Sequence, residues 1–234
     1  MRQSTDPARL TPEQTARMDA DPWFGVLPRE RRRLLLAEAI PVRLRPGVRL
    51  YGAGDDPNGL WAVIEGQVRL VAYPASGSEI LIRVLGPGVW YGELSTLDGG
   101  PRPHDAIAAG PGLAVNVPSA AFARLADREP ALWRDIALLG CAHQREALDF
   151  IGRQITQPVP VRLAEALRAA CRNAGGSATT LRQAELAATV GVGRQTLNRH
   201  LKALERRGLI HIGYARIEIL DLEGLERLVT QAQA

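Results

Sequence analysis

Between Leu44 and Val117 the apolar positions fall in short runs: Leu60–Ile64, Gln67–Tyr73, Ile80–Leu85 and Leu113–Val117. Glycines punctuate the chain between them, among them Gly47, Gly59, Gly66, Gly77, Gly86, Gly88 and Gly92. Many short β-rich runs with regular turn signals predict an antiparallel barrel or jelly roll. On either side the apolar spacing becomes helical. Pro28 to Ala39 reads as a short helix with proline at its entrance. A helix resumes at Ser119, and Pro130 opens a long one from Ala131 to about Ile155. There Leu132, Ile136, Leu139, His143, Ala147 and Phe150 recur at alternating spacings of four and three, the seam expected of a two-stranded coiled coil. The competing reading is one stripe packed on the chain's own barrel. Gln157-Pro158-Val159-Pro160 ends the helix as a stiff hinge. Val161–Cys171 is a further amphipathic helix, Asn173–Thr179 reads as a flexible link, and the polar, proline-containing stretch 1–22 reads as a mobile tail.

Residues 180–220 combine two helical patterns, a tight turn and a short hairpin. The turn is Val190-Gly191-Val192-Gly193, where glycine supplies backbone angles that other residues resist. Leu186 and Ala187 before it, and Leu197, Leu201 and Leu204 after it, supply apolar faces. Arg194, Gln195, Asn198, Arg199 and Lys202 fan over a separate face. Long donors and amides are the groups that reach base edges in a DNA major groove. The hairpin Ile210–Ile219 has its tip at Gly213-Tyr214-Ala215.

Composition adds modestly to this. The 234 residues are 46% apolar, enough for two domains with cores, and the net charge is +4 with a pI near 9.6. From Pro158 onward there are 11 basic and 7 acidic residues, so the excess sits with the turn-containing segment. Cys141 and Cys171 lie in helical patterns and are expected to be buried thiols of a reducing compartment. No run spans a bilayer and no signal peptide is evident, so a cytoplasmic protein is expected.

The 180–220 segment resembles the winged helix-turn-helix of the Crp/Fnr family of bacterial transcription regulators. Gly193-Arg194-Gln195-Thr196-Leu197-Asn198-Arg199 is similar to the run that opens the family's recognition helix. The resemblance implies that Arg194, Gln195, Asn198 and Arg199 read bases and that Lys202, Arg182 and Arg216 approach phosphates. Gln195 replaces a frequent glutamate, which shifts the preferred partner from cytosine N4 towards adenine N6 and N7. Gly193 replaces a capping serine, and Thr180 with Gln183 has capping-box spacing that substitutes for the threonine expected at Arg182.

Residues 88–102, reading GVWYGELSTLDGGPR, resemble the phosphate-binding cassette of cyclic-nucleotide-binding domains. The resemblance assigns Gly92, Glu93, Leu94, Ser95, Arg102 and Pro103 to an effector site. Glu93 would accept from a ribose hydroxyl and Arg102 would hold a cyclic phosphate. Two departures bear on the ligand. Pro103 follows the arginine and has no N–H to give. Ala147 and Leu148 stand where the cyclic AMP receptor protein places base-binding hydroxyls, and neither can hydrogen-bond a base edge.

The chain is thus expected to be α+β. It has a mobile tail (1–22), a cyclic-nucleotide-binding-like antiparallel β jelly-roll (23–130), a dimerisation helix (131–157) and a winged helix-turn-helix (158–234). Its partners are double-stranded DNA, a second copy of itself and RNA polymerase, with a cyclic nucleotide such as cyclic AMP as the effector. Two alternatives are a regulator with a degenerate pocket and a jelly-roll metal enzyme. The second needs converging histidines, whereas the barrel region has His104 alone.

Overall fold

The computed structural model describes residues 10–73, 79–174, 178–179, 183–213 and 216–231, and at 171–174, 178–179, 184–185 and 231 it describes the backbone alone. Where a mobile tail was expected, helix α1 (Pro12–Asp19) stands. A capping box starts it: Thr11 accepts from the Gln14 N–H, and Gln14 accepts from the Thr11 N–H. Met18 anchors it, fully buried in the core. A polar composition conceals such an element because Met18 is its single buried side chain. Trp23 and Phe24 follow, and both pack on Trp90, with ring centroids 5.5 and 4.9 Å away. Helix α2 (Arg29–Ala37) completes this entry.

The strands β1 (Ile40–Leu44), β2 (Arg49–Tyr51), β3 (Leu60–Glu65), β4 (Val68–Ala72), β5 (Ile80–Leu85), β6 (Trp90–Tyr91), β7 (Asp105–Ala108) and β8 (Gly112–Val117) follow, with helix α3 (Glu93–Asp98) between β6 and β7. They form two four-stranded antiparallel sheets, ordered β1-β8-β3-β6 and β2-β7-β4-β5. The strands β1, β2, β6 and β7 are five residues long or shorter, too short for a period of their own, and their partners define them.

Strand β3 explains the layering. Its first five residues are all buried, because both faces of its sheet are covered. Leu60, Ala62 and Ile64 join Trp90, Val115 and Val117 in a core shared with the helices. The alternate residues Trp61 and Val63 join Tyr51, Val68, Leu85, Tyr91 and Ala106 between the two sheets. The period of two therefore sends Trp90 outward to the helices and its neighbour Tyr91 into the barrel.

Helix α4 (Ser119–Arg128) buries Phe122 and Leu125, and helix α5 runs from Ala131 to Thr156. The stripe expected to be a dimer seam divides. Leu132, Ile136 and Leu139 are buried in the chain's own core, and Ala147 is exposed. A different face carries exposed apolar side chains: Leu148, Ile151 and Ile155. Cys141, expected to be buried, is exposed beside them in sequence register, while the Cys171 side chain lies outside the described residues.

The chain divides into two compact units, Met1–Arg145 and Glu146–Ala234. The second holds α6 (Val159–Ala174), β9 (Ala178–Thr179), α7 (Gln183–Val190), α8 (Arg194–Arg206), β10 (Ile210–Gly213), β11 (Arg216–Ile219) and α9 (Leu222–Gln231). Val159 begins α6 and Pro160 lies in its first turn rather than extending a hinge, since the first-turn N–H groups need no partner. Ala178 and Thr179, expected in a flexible link, pair with β11 to give the sheet order β10-β11-β9. Leu163, Leu167, Leu186, Val190, Leu197, Leu201, Ile217 and Leu225 form its core. Arg162 braces it, donating from Nη1 to the carbonyls of Gln154 and Gln157 and from Nε to that of Val190.

Candidate functional site

The loop between α3 and β7 carries Arg102 into the barrel, where it is 2% exposed. Its Nη1 donates to the Gly92 carbonyl at 2.9 Å, and its Nη2 donates to Oδ1 of Asn58 and to the Gly59 carbonyl. The guanidinium carbon lies 4.3 Å from the centroid of the Tyr51 ring, a cation–π contact. Its backbone is pinned as well: its N–H donates to Asp55 and its carbonyl accepts from Gly54, both at 2.8 Å. Asn58 extends the tie by accepting from Nε1 of Trp61 at 3.0 Å. Gly92 has φ +89°, and a Cβ there would sit 2.8 Å from Nη1 of Arg102, so the approach requires glycine.

Glu93 is buried at the start of α3 and meets a partner from α5: its Oε1 lies 2.9 Å from Nδ1 of His143. Burial raises the carboxyl's pKa, but the hydrogen bond and charge of His143 outweigh it and leave Glu93 below its usual range. Ser95 is buried and donates to the Pro101 carbonyl at 3.2 Å, which closes the cassette loop. Of the six expected effector residues, Gly92, Glu93, Ser95 and Arg102 come together. Leu94 and Pro103 face solvent, so neither side chain enters the cluster, because the helical turn and the loop rotate them outward. Helix α3 is six residues long.

Tyr51, Asn58, Tyr91, His104 and His143 also belong to this cluster. Tyr91 lies within the cassette stretch and His104 just after it, whereas Tyr51, Asn58 and His143 come from distant segments that no motif marks. Burial pushes the Tyr51 and Tyr91 phenols up and the His104 imidazole down. Among the described residues no group of three or more His, Cys, Asp or Glu is arranged to hold a metal ion, and no helix is long and apolar enough to cross a membrane.

In the second unit α7 ends at Gly191, whose φ of +71° gives the sharp turn, and Gly193 precedes α8 without a side-chain cap. Leu197, Leu201 and Leu204 bury one face of α8. Arg194, Gln195, Arg199 and Lys202 are exposed and Asn198 is half-buried, as the helical period requires. Arg206 continues this basic row at the spacing of Arg199 and Lys202, and the sequence reading missed it. With Glu205, those three line a concavity of about 390 Å³. Glu205 also accepts from the Ile212 N–H at 2.8 Å, and so ties α8 to the hairpin. Arg216 is exposed on β11, whereas Thr180, Arg182, Tyr214 and Ala215 lie outside the described residues.

Comparison with known proteins agrees with both halves. Residues 41–129 match the Cyclic nucleotide-binding domain, and residues 161–228 match the Crp-like helix-turn-helix domain. The chain is 32% identical over 190 residues to a protein of Thermus thermophilus named Cyclic AMP receptor protein, covering 80% of this chain and 87% of that one. It is 29% identical over 195 residues to a CRP-like cAMP-activated global transcriptional regulator of Mycobacterium tuberculosis, with 80% and 87% covered. Among solved structures, a CRP/FNR-family transcriptional regulator of Thermus thermophilus superposes with a TM-score of 0.65 at 29% identity, covering 81% of this chain and 98% of the other.

Proposed function

This chain belongs to the Crp/Fnr family of DNA-binding transcriptional regulators, and we propose that it acts as a cytoplasmic homodimer in which a small effector in the barrel controls operator reading by α8. The observation that carries the DNA half is the division of α8 into a buried leucine face and an exposed face of arginines, lysine and amide. Arg194, Gln195, Asn198 and Arg199 are the base readers, and Lys202, Arg206 and Arg216 are the phosphate contacts. Arg182 keeps the phosphate role that the family resemblance gives it.

One recognition helix reads one half-site, so a palindromic operator needs two copies. The exposed apolar face of α5 supplies the contact. Cys141, Gln144, Leu148, Ile151 and Ile155 recur at spacings of three and four on that face. The cassette residues Gly92, Glu93, Ser95 and Arg102 support the effector half, and a cyclic nucleotide is the class suggested by the relatives. RNA polymerase is the further partner, and no catalytic role is assigned to any residue.

A specific observation favours a second reading, an effector-independent regulator: Glu93 is already held by His143, and both Nη groups of Arg102 by neutral oxygens. The deciding experiment is selection of DNA sites from a random pool by the purified protein, with and without cyclic AMP. Recovery of a two-fold symmetric site supports the regulator. Enrichment that depends on cyclic AMP supports the effector, and equal enrichment supports the second reading. A pool with no sequence preference under any condition sinks the assignment.

A further inference from the structure

A carboxylate stands among the cations of α8. The concavity on that helix is lined by Arg199, Lys202 and Arg206, and also by Glu205. A negative charge there repels the phosphates that its basic neighbours attract, so its presence calls for a compensating role. Glu205 is not idle. Its Oε1 accepts from the Ile212 N–H at 2.8 Å and lies 3.4 Å from Nδ1 of His211. Both partners belong to β10, so one side chain of α8 grips one strand of the hairpin.

The backbone shows what that grip adds. At the end of α8 the Gly208 N–H donates to the Glu205 carbonyl at 2.8 Å, and the Leu209 N–H to that of Leu204 at 3.1 Å. Those bonds fix the base of the hairpin, where β10 begins. Further out the tie is different. Strand β10 lies at the edge of the sheet β10-β11-β9, and β9 pairs with Ile217 and Glu218 of β11. Ile212 stands opposite Ile217, and its N–H is given to Glu205. An edge N–H is thereby satisfied from the helix instead of from a further strand. The next pair outward is Gly213 with Arg216. Glu205 therefore anchors the hairpin one residue short of the pair that carries its exposed arginine. Strands of four residues are marginal by themselves, so this anchor sets where Arg216 lies relative to α8.

We propose that Glu205 is the positioning residue of the wing: it holds β10 against α8 so that Arg216 meets a DNA phosphate while Arg194 and Arg199 meet bases. This rests on the reading of α8 and the hairpin as the DNA interface. The charge of Glu205 opposes DNA binding, and its oxygen promotes it by holding the wing. A glutamine separates the two effects, because it keeps an acceptor at the same reach and drops the charge. A leucine removes both. The Glu205 side chain is 37% exposed, so neither substitution disturbs the core.

The test compares the full-length wild type with Glu205→Gln and Glu205→Leu, each with and without Arg216→Ala. The probe is a duplex carrying the site recovered from the random pool, titrated over a range of chloride concentrations. Both Glu205 variants lack the charge, so the acceptor is what separates them. Glu205→Gln is expected to bind at least as tightly as wild type. Glu205→Leu is expected to bind about tenfold more weakly than Glu205→Gln, with a salt slope lower by about one, as for one lost phosphate contact. In the Arg216→Ala background that difference is expected to vanish, because the contact being positioned is gone. Equal affinities of the two Glu205 variants overturn the proposal. So does a difference that persists in full without Arg216, which would make Glu205 a structural tie and nothing more. Amide hydrogen exchange at Ile212 is followed without DNA. Protection is expected in wild type and Glu205→Gln and is expected to fall in Glu205→Leu, and equal protection in all three overturns the grip. If the wild type recovers no site from the pool, the regulator reading fails. The same comparison on a duplex of random sequence, whose phosphates need no base reading, then still decides the role of Glu205.

Discussion

Nδ1 of His143 lies 2.9 Å from Oε1 of Glu93, and this contact joins the middle of helix α5 to the first residue of α3. The carboxylate that the family resemblance assigns to an effector hydroxyl is therefore already paired with the long helix. The contact ties the cassette of the barrel directly to α5.

Removal of the imidazole by His143→Ala leaves a buried carboxylate without its partner and should cost about 1–3 kcal/mol of stability. His143→Gln retains a donor and should recover part of it. Because the folded Glu93 pKa lies below its ordinary 4.5, the contribution is fully present above pH 4.5 and fades as pH falls through the folded value. Melting midpoints from pH 7 to pH 3 should thus fall less steeply in Glu93→Gln than in wild type. Parallel curves would show that the pair contributes nothing.

Gly92→Ala places a Cβ 2.8 Å from Nη1 of Arg102 in a backbone at φ +89°. The expected cost is about 1–3 kcal/mol from strain and displaced hydrogen bonds. Arg102→Lys keeps the charge but cannot serve Gly92, Gly59 and Asn58 from one planar fork, and should lose about 2–3 kcal/mol. Urea unfolding of the two variants reads both effects. A near-neutral Arg102→Lys would mean that the fork geometry does not hold the cassette.

On α8 the two classes of contact should separate. Arg194→Ala or Arg199→Ala should lose about 1–3 kcal/mol of discrimination at one base pair, whereas Lys202→Ala should weaken all sites alike and lower the salt slope by about one. Binding to a panel of singly substituted operators measures this. If Arg194→Ala weakened every site equally, its assignment as a base reader would be wrong.

The two faces of α5 should respond differently. Leu148→Asp with Ile151→Asp places charges on the exposed face and should give monomers in sedimentation at micromolar concentration. Ile136→Ala empties a fully buried position and should cost about 2–5 kcal/mol while leaving association intact. A dimer that survives the double aspartate variant would place the interface elsewhere.

The contrast between these faces shows where sequence reading reached its limit. The spacing of Leu132, Ile136 and Leu139 identified a helix with an apolar stripe, but spacing alone does not distinguish a stripe that meets its own barrel from one that meets a second copy. Leu148, Ile151 and Ile155 form a second stripe, and only burial separates the two. In the barrel, the Gly92-Glu93 and Arg102 cassette was legible because its residues lie within one short stretch. Tyr51, Asn58 and His143 were not, because antiparallel pairing and the packing of α5 bring them together from distant segments.

By itself the sequence determined the local elements: the glycine-punctuated strands, the long helix opened by Pro130, the turn at Gly191 and the polar fan on α8. These follow from backbone sterics and from periods of two and 3.6 residues, which act over a few neighbours. The tertiary structure decided which face of each element is dry. It turned Tyr91 into the barrel and Trp90 away from it, and gave Glu93 its histidine. It also surrounded Arg102 with neutral oxygens and unpartnered phenols. Hydrogen-bond satisfaction and charge compensation depend on atoms far apart in the chain, so they become determinate only when the sheets close around them.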